Sequence, residues 1–290
     1  MRLPSPTIRA VAALSVTQLI GWGATFWLPA VTGQSMAGDL GVALPVIMAG
    51  PTVMLIVMAA ISWPLGGYFE RYGARPIMTA GSPLGAIGLL TLASSDSLPV
   101  YFLAWIILGI AGACMLTTPA QIAVAEIAGD GARPALSVLI LAGGLTLTIV
   151  WPLTGILQAE WGWRPTTALY AILMMTVCTA LHLTTLARQP KEKAGATAIT
   201  EPPSVDRVLF VMLAASFAAN GFFTWGFALT IITLFEAGGL DHASALSAAA
   251  LIGVAQWGGR MIDFLGAHRF SGFAVGLCGA ALFPQASLFF

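Results

Sequence analysis

The stretch Gly66-Gly67-Tyr68-Phe69-Glu70-Arg71-Tyr72-Gly73-Ala74-Arg75 lies between two long apolar segments of the sequence. It combines one acidic side chain, two arginines and three glycines in ten residues. A looser copy, Gly259-x-x-x-Asp263-x-x-Gly266-Ala267-His268, begins 193 residues later and also follows an apolar segment. A charged hairpin that recurs at this distance predicts a membrane protein built from two related helical halves.

The composition of the chain excludes a water-soluble fold. Hydrophobic residues make up 58% of the 290 residues, charged residues make up 8%, and the mean hydropathy is +0.89. Soluble domains average about 25% charged residues. The formal net charge is zero, so we expect no nucleic-acid partner. The cysteines lie in apolar runs without CxxC spacing and the histidines are scattered, so we expect no metal site and no cofactor.

Nine apolar segments are long enough to cross a bilayer, which takes about 20 residues of helix. We number them as predicted spans 1 to 9: residues 10–31, 44–65, 76–95, 98–122, 135–157, 165–187, 207–234, 243–262 and 271–290. The longest polar segment separates six spans from three. The sequence therefore predicts an all-α membrane protein with a six-helix bundle in residues 1–188, a cytoplasmic central loop in residues 189–206, and three helices of a second bundle in residues 207–290.

The distribution of lysine and arginine predicts the orientation in the membrane, because cytoplasmic loops are enriched in both. With the N-terminus inside, eleven of the twelve basic residues fall on the cytoplasmic side, and only Arg164 falls outside. We therefore predict a multi-pass protein of the plasma membrane, in a bacterium the inner membrane, with a cytoplasmic N-terminus. Three tryptophans near the predicted outer helix ends are expected to be interfacial anchors: Trp27, Trp161 and Trp163.

The charged stretch resembles the loop 2–3 signature of the major facilitator superfamily, Gly-x-x-x-Asp-Arg-x-Gly-Arg-Arg. The matching positions, with Glu in place of Asp, are Gly66, Glu70, Arg71, Gly73 and Arg75. Two further stretches are similar to the family's motifs at the fifth and sixth helices: Trp151-Pro152-Leu153-Thr154-Gly155 and Gly162-Trp163-Arg164. The resemblance implies secondary or facilitated transport of a small organic solute by alternating access.

The repeat and the resemblance together predict a chain that stops after the ninth helix. Ala37-Gly38-x-Leu40-x-x-Ala43 recurs as Ala237-Gly238-x-Leu240-x-x-Ala243, and with a repeat near 193 residues, residue 290 corresponds to residue 97. The second bundle then looks unfinished, and a non-transporting fragment is the alternative to a working, monomeric transporter. A membrane-embedded enzyme would need His, Asp or Ser groups clustered at one depth. The sequence offers no such cluster, so we expect no enzyme.

The charged stretch is the first candidate site. Glu70 and Arg71 can clamp neighbouring helices in one state of the transport cycle, while glycines allow tight turns. The alternative is a charged turn that only fixes topology. The second-half equivalents are Asp263, Gly266 and His268.

Polar side chains deep in apolar helices are the second candidate site, because they are costly in lipid. The resemblance puts the first and fourth helices of each bundle around a solute cavity. The candidates are Gln18, Trp22, Thr25, Thr118, Gln121, Asn220, Thr224, Gln256 and Arg260. Their alternative role is to hold helices together through hydrogen bonds.

The nature of the solute stays open at this level. The aromatic and amide-rich candidates favour a neutral or amphiphilic solute, whereas a cavity-facing Arg260 would favour a monocarboxylate. We favour the interpretation that Arg260 reaches to the inner membrane interface instead. Every Asp and Glu lies in a loop or near a helix end, so a co-transported proton has no obvious carrier, and His182 is predicted to pack against its neighbours.

Overall fold

A computed structural model describes residues 4–187 and 207–266, and within these ranges it contains helices but no strand. The twelve α-helices are α1 (Ser5–Ala24), α2 (Leu28–Leu40), α3 (Leu44–Tyr72), α4 (Ala74–Ala93), α5 (Leu98–Met115), α6 (Thr117–Ala128), α7 (Ala132–Gly143), α8 (Thr146–Trp161), α9 (Trp163–Leu173), α10 (Thr179–Thr185), α11 (Arg207–Ala237) and α12 (His242–Gly266). We call α1–α10 the N-terminal bundle and α11–α12 the C-terminal pair.

Six helical runs within the described residues are long and apolar enough to cross a membrane. They cover predicted spans 1 to 7, because one 64-residue run, Leu98–Trp161, contains spans 4 and 5. The helix of predicted span 8, α12, is 25 residues long but less apolar, and it carries Gln256 and Arg260. Predicted span 9, residues 271–290, lies outside the described residues. The prediction of an all-α membrane protein is confirmed.

The 64-residue run folds back on itself rather than forming one rod. Leu116 packs against Gly21 and Val150 packs against Gly23, so both ends of the segment 116–150 lie against the last turn of α1. The reversal lies at the 3-10 turn Gly129–Gly131, where Gly129 has φ +52°. Spans 4 and 5 are therefore two legs of a hairpin, as the sequence predicted.

The charged stretch is mostly helix, which corrects the predicted hairpin. Helix α3 continues through Gly66 and Gly67 to Tyr72, and Gly73 alone connects it to α4. Gly73 has φ +74°, a conformation that glycine adopts without strain. The two earlier glycines stay helical, because glycine weakens a helix by only about 1 kcal/mol relative to alanine.

Prolines interrupt hydrogen bonding in several helices, and at Pro51 a side chain of a neighbouring helix replaces the lost donor. Proline lacks an N–H, so the carbonyl four residues earlier loses its helical partner. Pro51 frees the carbonyl of Ile47 in this way, and the buried Tyr101 hydroxyl donates to it at 2.6 Å. Each such bond ties a weakened helix to its neighbour.

Span 1 is broken where the sequence predicted one continuous helix. α1 ends at Ala24 and α2 begins at Leu28. Pro29 lies four residues after Thr25 and cannot donate to its carbonyl, which accepts the N–H of Leu28 instead at 3.1 Å. The break turns the side chains of Phe26 and Trp27 away from the straight-helix direction.

The C-terminal pair packs along the N-terminal bundle chiefly through α12, which runs antiparallel to α7 and α8. Successive residues along α12 contact residues that come earlier and earlier in α8 and α7. The pairs are Leu246 with Gly155, Ala250 with Thr148, and Arg260 with Ile140. Gly253 faces Thr148 with no room for a side chain. A glycine at this contact lets the two helix backbones approach closely.

Arg164, the one basic residue on the predicted outer side, is paired with acids. Its guanidinium lies 3.5 Å from Asp39 and 3.2 Å from Asp96, and it donates to the carbonyls of Ala93 and Ser95 at 3.0 and 2.8 Å. The indole N–H of Trp163 donates to the same Asp39 at 2.8 Å. Trp163 is buried, so its predicted role as an interfacial anchor is wrong.

Candidate functional site

A cavity of about 290 Å³ lies between the N-terminal bundle and the C-terminal pair. Helices from both contribute to its wall, and three of the contributing spans are interrupted beside it. The interruptions lie between α1 and α2, between α5 and α6, and between α7 and α8. Solute sites in transporters are commonly built from such discontinuous helices.

One end of the cavity is lined by three indoles. Trp22 and Trp27 come from span 1, and Trp225 comes from α11. Trp225 stacks on Trp27 with ring centres 5.8 Å apart and meets Trp22 edge-on at 5.1 Å. Phe26 is fully buried behind them, 4.9 Å from Trp225. These rings join the N-terminal bundle to the C-terminal pair at the predicted outer end of the cavity. Trp27 is therefore a cavity residue and not the predicted interfacial anchor.

The polar part of the wall is formed by spans 1 and 4. The amide of Gln18 donates to the carbonyl of Met115 at 2.9 Å, and the indole N–H of Trp22 donates to the hydroxyl of Thr117 at 3.0 Å. The carbonyl of Met115 lacks its helical donor because residue 119 is a proline. Gln18 thus closes the break in span 4 while its side chain lines the cavity, and Gln121 lies one turn beyond Thr117.

The other end of the cavity carries its only charge among the described lining residues. Arg260 of α12 lines the cavity together with Gln256, one turn before it. Its guanidinium donates to the carbonyl of Ile140 in α7 at 2.7 Å. This contact differs from the interpretation favoured above, in which Arg260 extends to the membrane interface. The contact also links the C-terminal pair to the N-terminal bundle.

The other predicted cavity residues lie elsewhere. Thr25 is fully buried and its hydroxyl donates to the carbonyl of Gly21 at 2.6 Å, because span 1 breaks at this residue. Thr118, Asn220 and Thr224 are exposed and do not line the cavity. The neighbours Thr117 and Trp225 take their places, one residue along the same helices. Pro29 is the sequence signal that could have predicted the break.

His182 is buried among three spans of the N-terminal bundle and does not line the cavity. Its Nε2 lies 3.0 Å from the Thr17 hydroxyl, and its Nδ1 lies 2.9 Å from the Ser82 hydroxyl and 3.2 Å from the carbonyl of Met78. These contacts satisfy both ring nitrogens. They agree with the predicted packing role.

The charged stretch is fixed by contacts that the sequence did not suggest. Both carboxylate oxygens of Glu126 accept the backbone N–H of Ala74, at 2.9 and 3.1 Å. Arg75 donates twice to the carbonyl of Leu183, at 2.9 and 2.6 Å. The stretch is thus attached to spans 4 and 6.

Glu70 and Arg71, the predicted clamp, are exposed and form no ion pair with any residue in the described ranges. Arg71 lies over the ring of Tyr72, 5.2 Å from its centre. In the second half, Asp263 and Gly266 belong to the end of α12, so the predicted turn does not begin at Gly259. His268 lies outside the described residues.

Replacing Glu126 with Gln should destabilise the N-terminal bundle by about 1 kcal/mol. The Glu126 carboxylate accepts a free N–H at the N-terminus of α4, and its negative charge is attracted by the positive end of that helix dipole. Thermal unfolding of the detergent-solubilised protein measures the loss. Asp130→Asn is the matched control, since Asp130 is exposed four residues further on. Equal unfolding temperatures for the two variants would contradict the capping role.

A multi-pass helical protein with a polar cavity between two groups of helices has the architecture of a solute transporter. The family model of the Major Facilitator Superfamily matches residues 14–290. The chain therefore belongs to the Major Facilitator Superfamily, whose members transport small solutes across membranes. No curated protein that was compared matches the chain.

Proposed function

We propose that this protein carries a small organic anion, with a carboxylate as its charged group, across the membrane by alternating access. The cavity between the N-terminal bundle and the C-terminal pair is the solute site. The N-terminus lies in the cytoplasm, and in a bacterium the membrane is the inner one. A monomeric state and a co-transported proton stay predictions.

The single observation that carries this proposal is the position of Arg260 on the cavity wall. Its guanidinium donates to one backbone carbonyl, which leaves further N–H groups for a ligand. The described lining includes no Asp or Glu that would neutralise it. Arginine pairs well with carboxylates because its N–H groups match their two oxygens. A neutral solute, which the sequence favoured, would leave this charge without an acidic partner among the described lining residues.

Alternating access is supported by the way in which the two helix groups meet. Trp225 closes the aromatic end of the cavity against Trp22 and Trp27, while residues 207–216 of α11 are exposed. This arrangement fits a state that is closed on the predicted outer side. The hydrogen bond from Arg260 to Ile140 crosses between the two groups, so a solute that draws the guanidinium away would also change how they pack.

The test is ligand-dependent thermal stabilisation of the purified full chain, with a panel of small monocarboxylates and the alcohols that correspond to them. A ligand present at 100 times its Kd stabilises the folded state by about 2.7 kcal/mol. We expect carboxylates, and not the alcohols, to raise the unfolding temperature. Arg260→Gln should weaken this binding at least tenfold, because one charge-assisted hydrogen bond contributes about 1.5–3 kcal/mol.

Arg133→Gln is the matched control, since Arg133 is exposed at the start of α7 and lies outside the cavity. It removes the same charge and should leave carboxylate binding unchanged. Stabilisation of Arg260→Gln by the same acids to the same extent as the wild type would sink the proposal.

A further inference from the structure

We infer that the solute is an arylalkanoate, a carboxylate joined to an aromatic ring by a short chain. The inference rests on the proposed function and adds the second recognition element, the cage of Trp22, Trp27 and Trp225. The ring would lie against the cage and the carboxylate against Arg260.

The cage presents aromatic surface to the cavity. All three indoles line the cavity and are half-buried, whereas Phe26 behind them is 1% exposed. The hydrogen bond from Trp22 to Thr117 and the stacking of Trp225 on Trp27 hold the rings in place. Aromatic rings attract one another in edge-on and offset-stacked arrangements, beyond the gain from burying apolar area. A flat ligand ring therefore suits this wall better than a saturated ring of the same size.

The cage and the cation lie at opposite ends of the cavity, which sets the shape of the solute. Trp27 packs against Trp151, and Arg260 bonds to Ile140, eleven residues earlier in span 5. Eleven residues of helix measure about 16 Å. The guanidinium lies nearer to the cage than this, because its Nη1 would be 3.3 Å from a Cβ on Gly144, which precedes Trp151 by only seven residues, about 10 Å of helix. A short spacer between ring and carboxylate fits the remaining distance.

The cavity size agrees with one such molecule. Its volume of about 290 Å³ is at the lower end of the range for small-molecule sites. Gln18, Gln121 and Gln256 lie between the two ends and provide amide groups for polar substituents. The lining therefore combines an apolar aromatic end, an amide middle and a cationic end.

The experiment compares three probes on the full chain by calorimetric titration: 3-phenylpropionate, 3-cyclohexylpropionate and 3-phenylpropan-1-ol. The first two differ only in ring saturation, and the first and third only in the carboxylate. We expect 3-phenylpropionate to bind about threefold to tenfold more tightly than its cyclohexyl counterpart. Bulk hydrophobicity alone would reverse that order, since the saturated ring is the more apolar one. The alcohol should bind at least tenfold more weakly than the phenyl acid.

Variants of Trp225 locate the effect. Trp225→Phe retains an aromatic face and should keep the preference for the phenyl acid, whereas Trp225→Leu should remove it. Trp63→Leu is the control, because Trp63 is 90% exposed and belongs to α3, which contributes no residue to the described cavity lining. If Trp225→Phe keeps the preference for the phenyl acid, the loss in Trp225→Leu comes from the missing aromatic ring and not from a damaged fold.

The outcomes distinguish this inference from the proposed function. Equal affinity for the phenyl and cyclohexyl acids, with both lost in Arg260→Gln, overturns the aromatic inference and leaves the anion site standing. Binding that Arg260→Gln does not weaken overturns the anion site, and the aromatic inference with it. Failure of both acids to bind at millimolar concentration overturns the arylalkanoate inference, and the panel of monocarboxylates without a ring then decides whether the anion site stands.

Discussion

Gly253→Val should separate α12 from α8 and reduce the population of the packed arrangement about 5–150-fold. A Cβ at this position would lie 2.8 Å from the backbone nitrogen of Thr148 and 3.3 Å from the Cβ of Leu147. Backbone cannot yield as a flexible side chain can, so the two helices must move apart. Overpacking of this kind costs about 1–3 kcal/mol, which corresponds to the stated change in an equilibrium.

The measurement is the distance between spin labels on α8 and α12. It is determined by pulsed electron–electron double resonance in a variant without native cysteines. Ile156 and Leu251 are suitable label sites, because both are exposed and lie near the contact. We expect the distance distribution to shift to longer values in Gly253→Val.

Gly258→Val is the matched control for this prediction. Gly258 lies on the same helix, and a Cβ there would meet no heavy atom within 4 Å. Valine lowers helix propensity equally at both positions. Any difference between the variants therefore reports the contact with α8. Identical distance distributions would mean that the close approach at Gly253 does not hold the two helix groups together.

Tyr101→Phe should destabilise the protein by about 1–3 kcal/mol, the cost of a buried carbonyl without a partner. The Tyr101 side chain is 0% exposed, and its hydroxyl is the replacement donor for the carbonyl of Ile47. Unfolding by sodium dodecyl sulfate in mixed micelles measures the change. Tyr68→Phe should have no effect, because Tyr68 is exposed.

A double-mutant cycle with Pro51→Ala tests the reason for this cost. Alanine restores an N–H at residue 51, which can donate to Ile47 as in an uninterrupted helix. The Tyr101 hydroxyl is then no longer needed, and Tyr101→Phe should cost less than about 0.5 kcal/mol in that background. An equal loss in both backgrounds would show that the hydroxyl does not compensate for the proline.

The sequence predicted the helices well because a bilayer imposes a length and a composition on each span. Spans 2 to 7 lie where the apolar segments indicated. The two glycines in Gly66–Gly67 were expected to form a turn, but glycine weakens a helix by only about 1 kcal/mol relative to alanine. The missing N–H of Pro29 has a larger effect, and span 1 breaks there.

The sequence predicted which helices line the cavity, but it did not predict every residue that faces the cavity. Gln18, Trp22, Gln121, Gln256 and Arg260 line the cavity, whereas Asn220 and Thr224 do not. The break in span 1 explains why Thr25 is buried away from the cavity, whereas α11 is unbroken and its packing brings Trp225 to the cavity instead. The direction of the Arg260 side chain also depends on its hydrogen bond to the carbonyl of Ile140, 120 residues earlier in the chain. No local sequence pattern indicates such a contact.

The link between spans 2 and 3 is only Gly73, and the amide that follows it is held by Glu126. Connections between helices usually exchange their amide hydrogens with solvent within seconds, since few of them are bonded. The amide of Ala74 should instead retain its hydrogen in D2O for as long as amides in the middle of a span. A link of one residue between two membrane helices is thus expected to be among the last backbone segments of this protein to open.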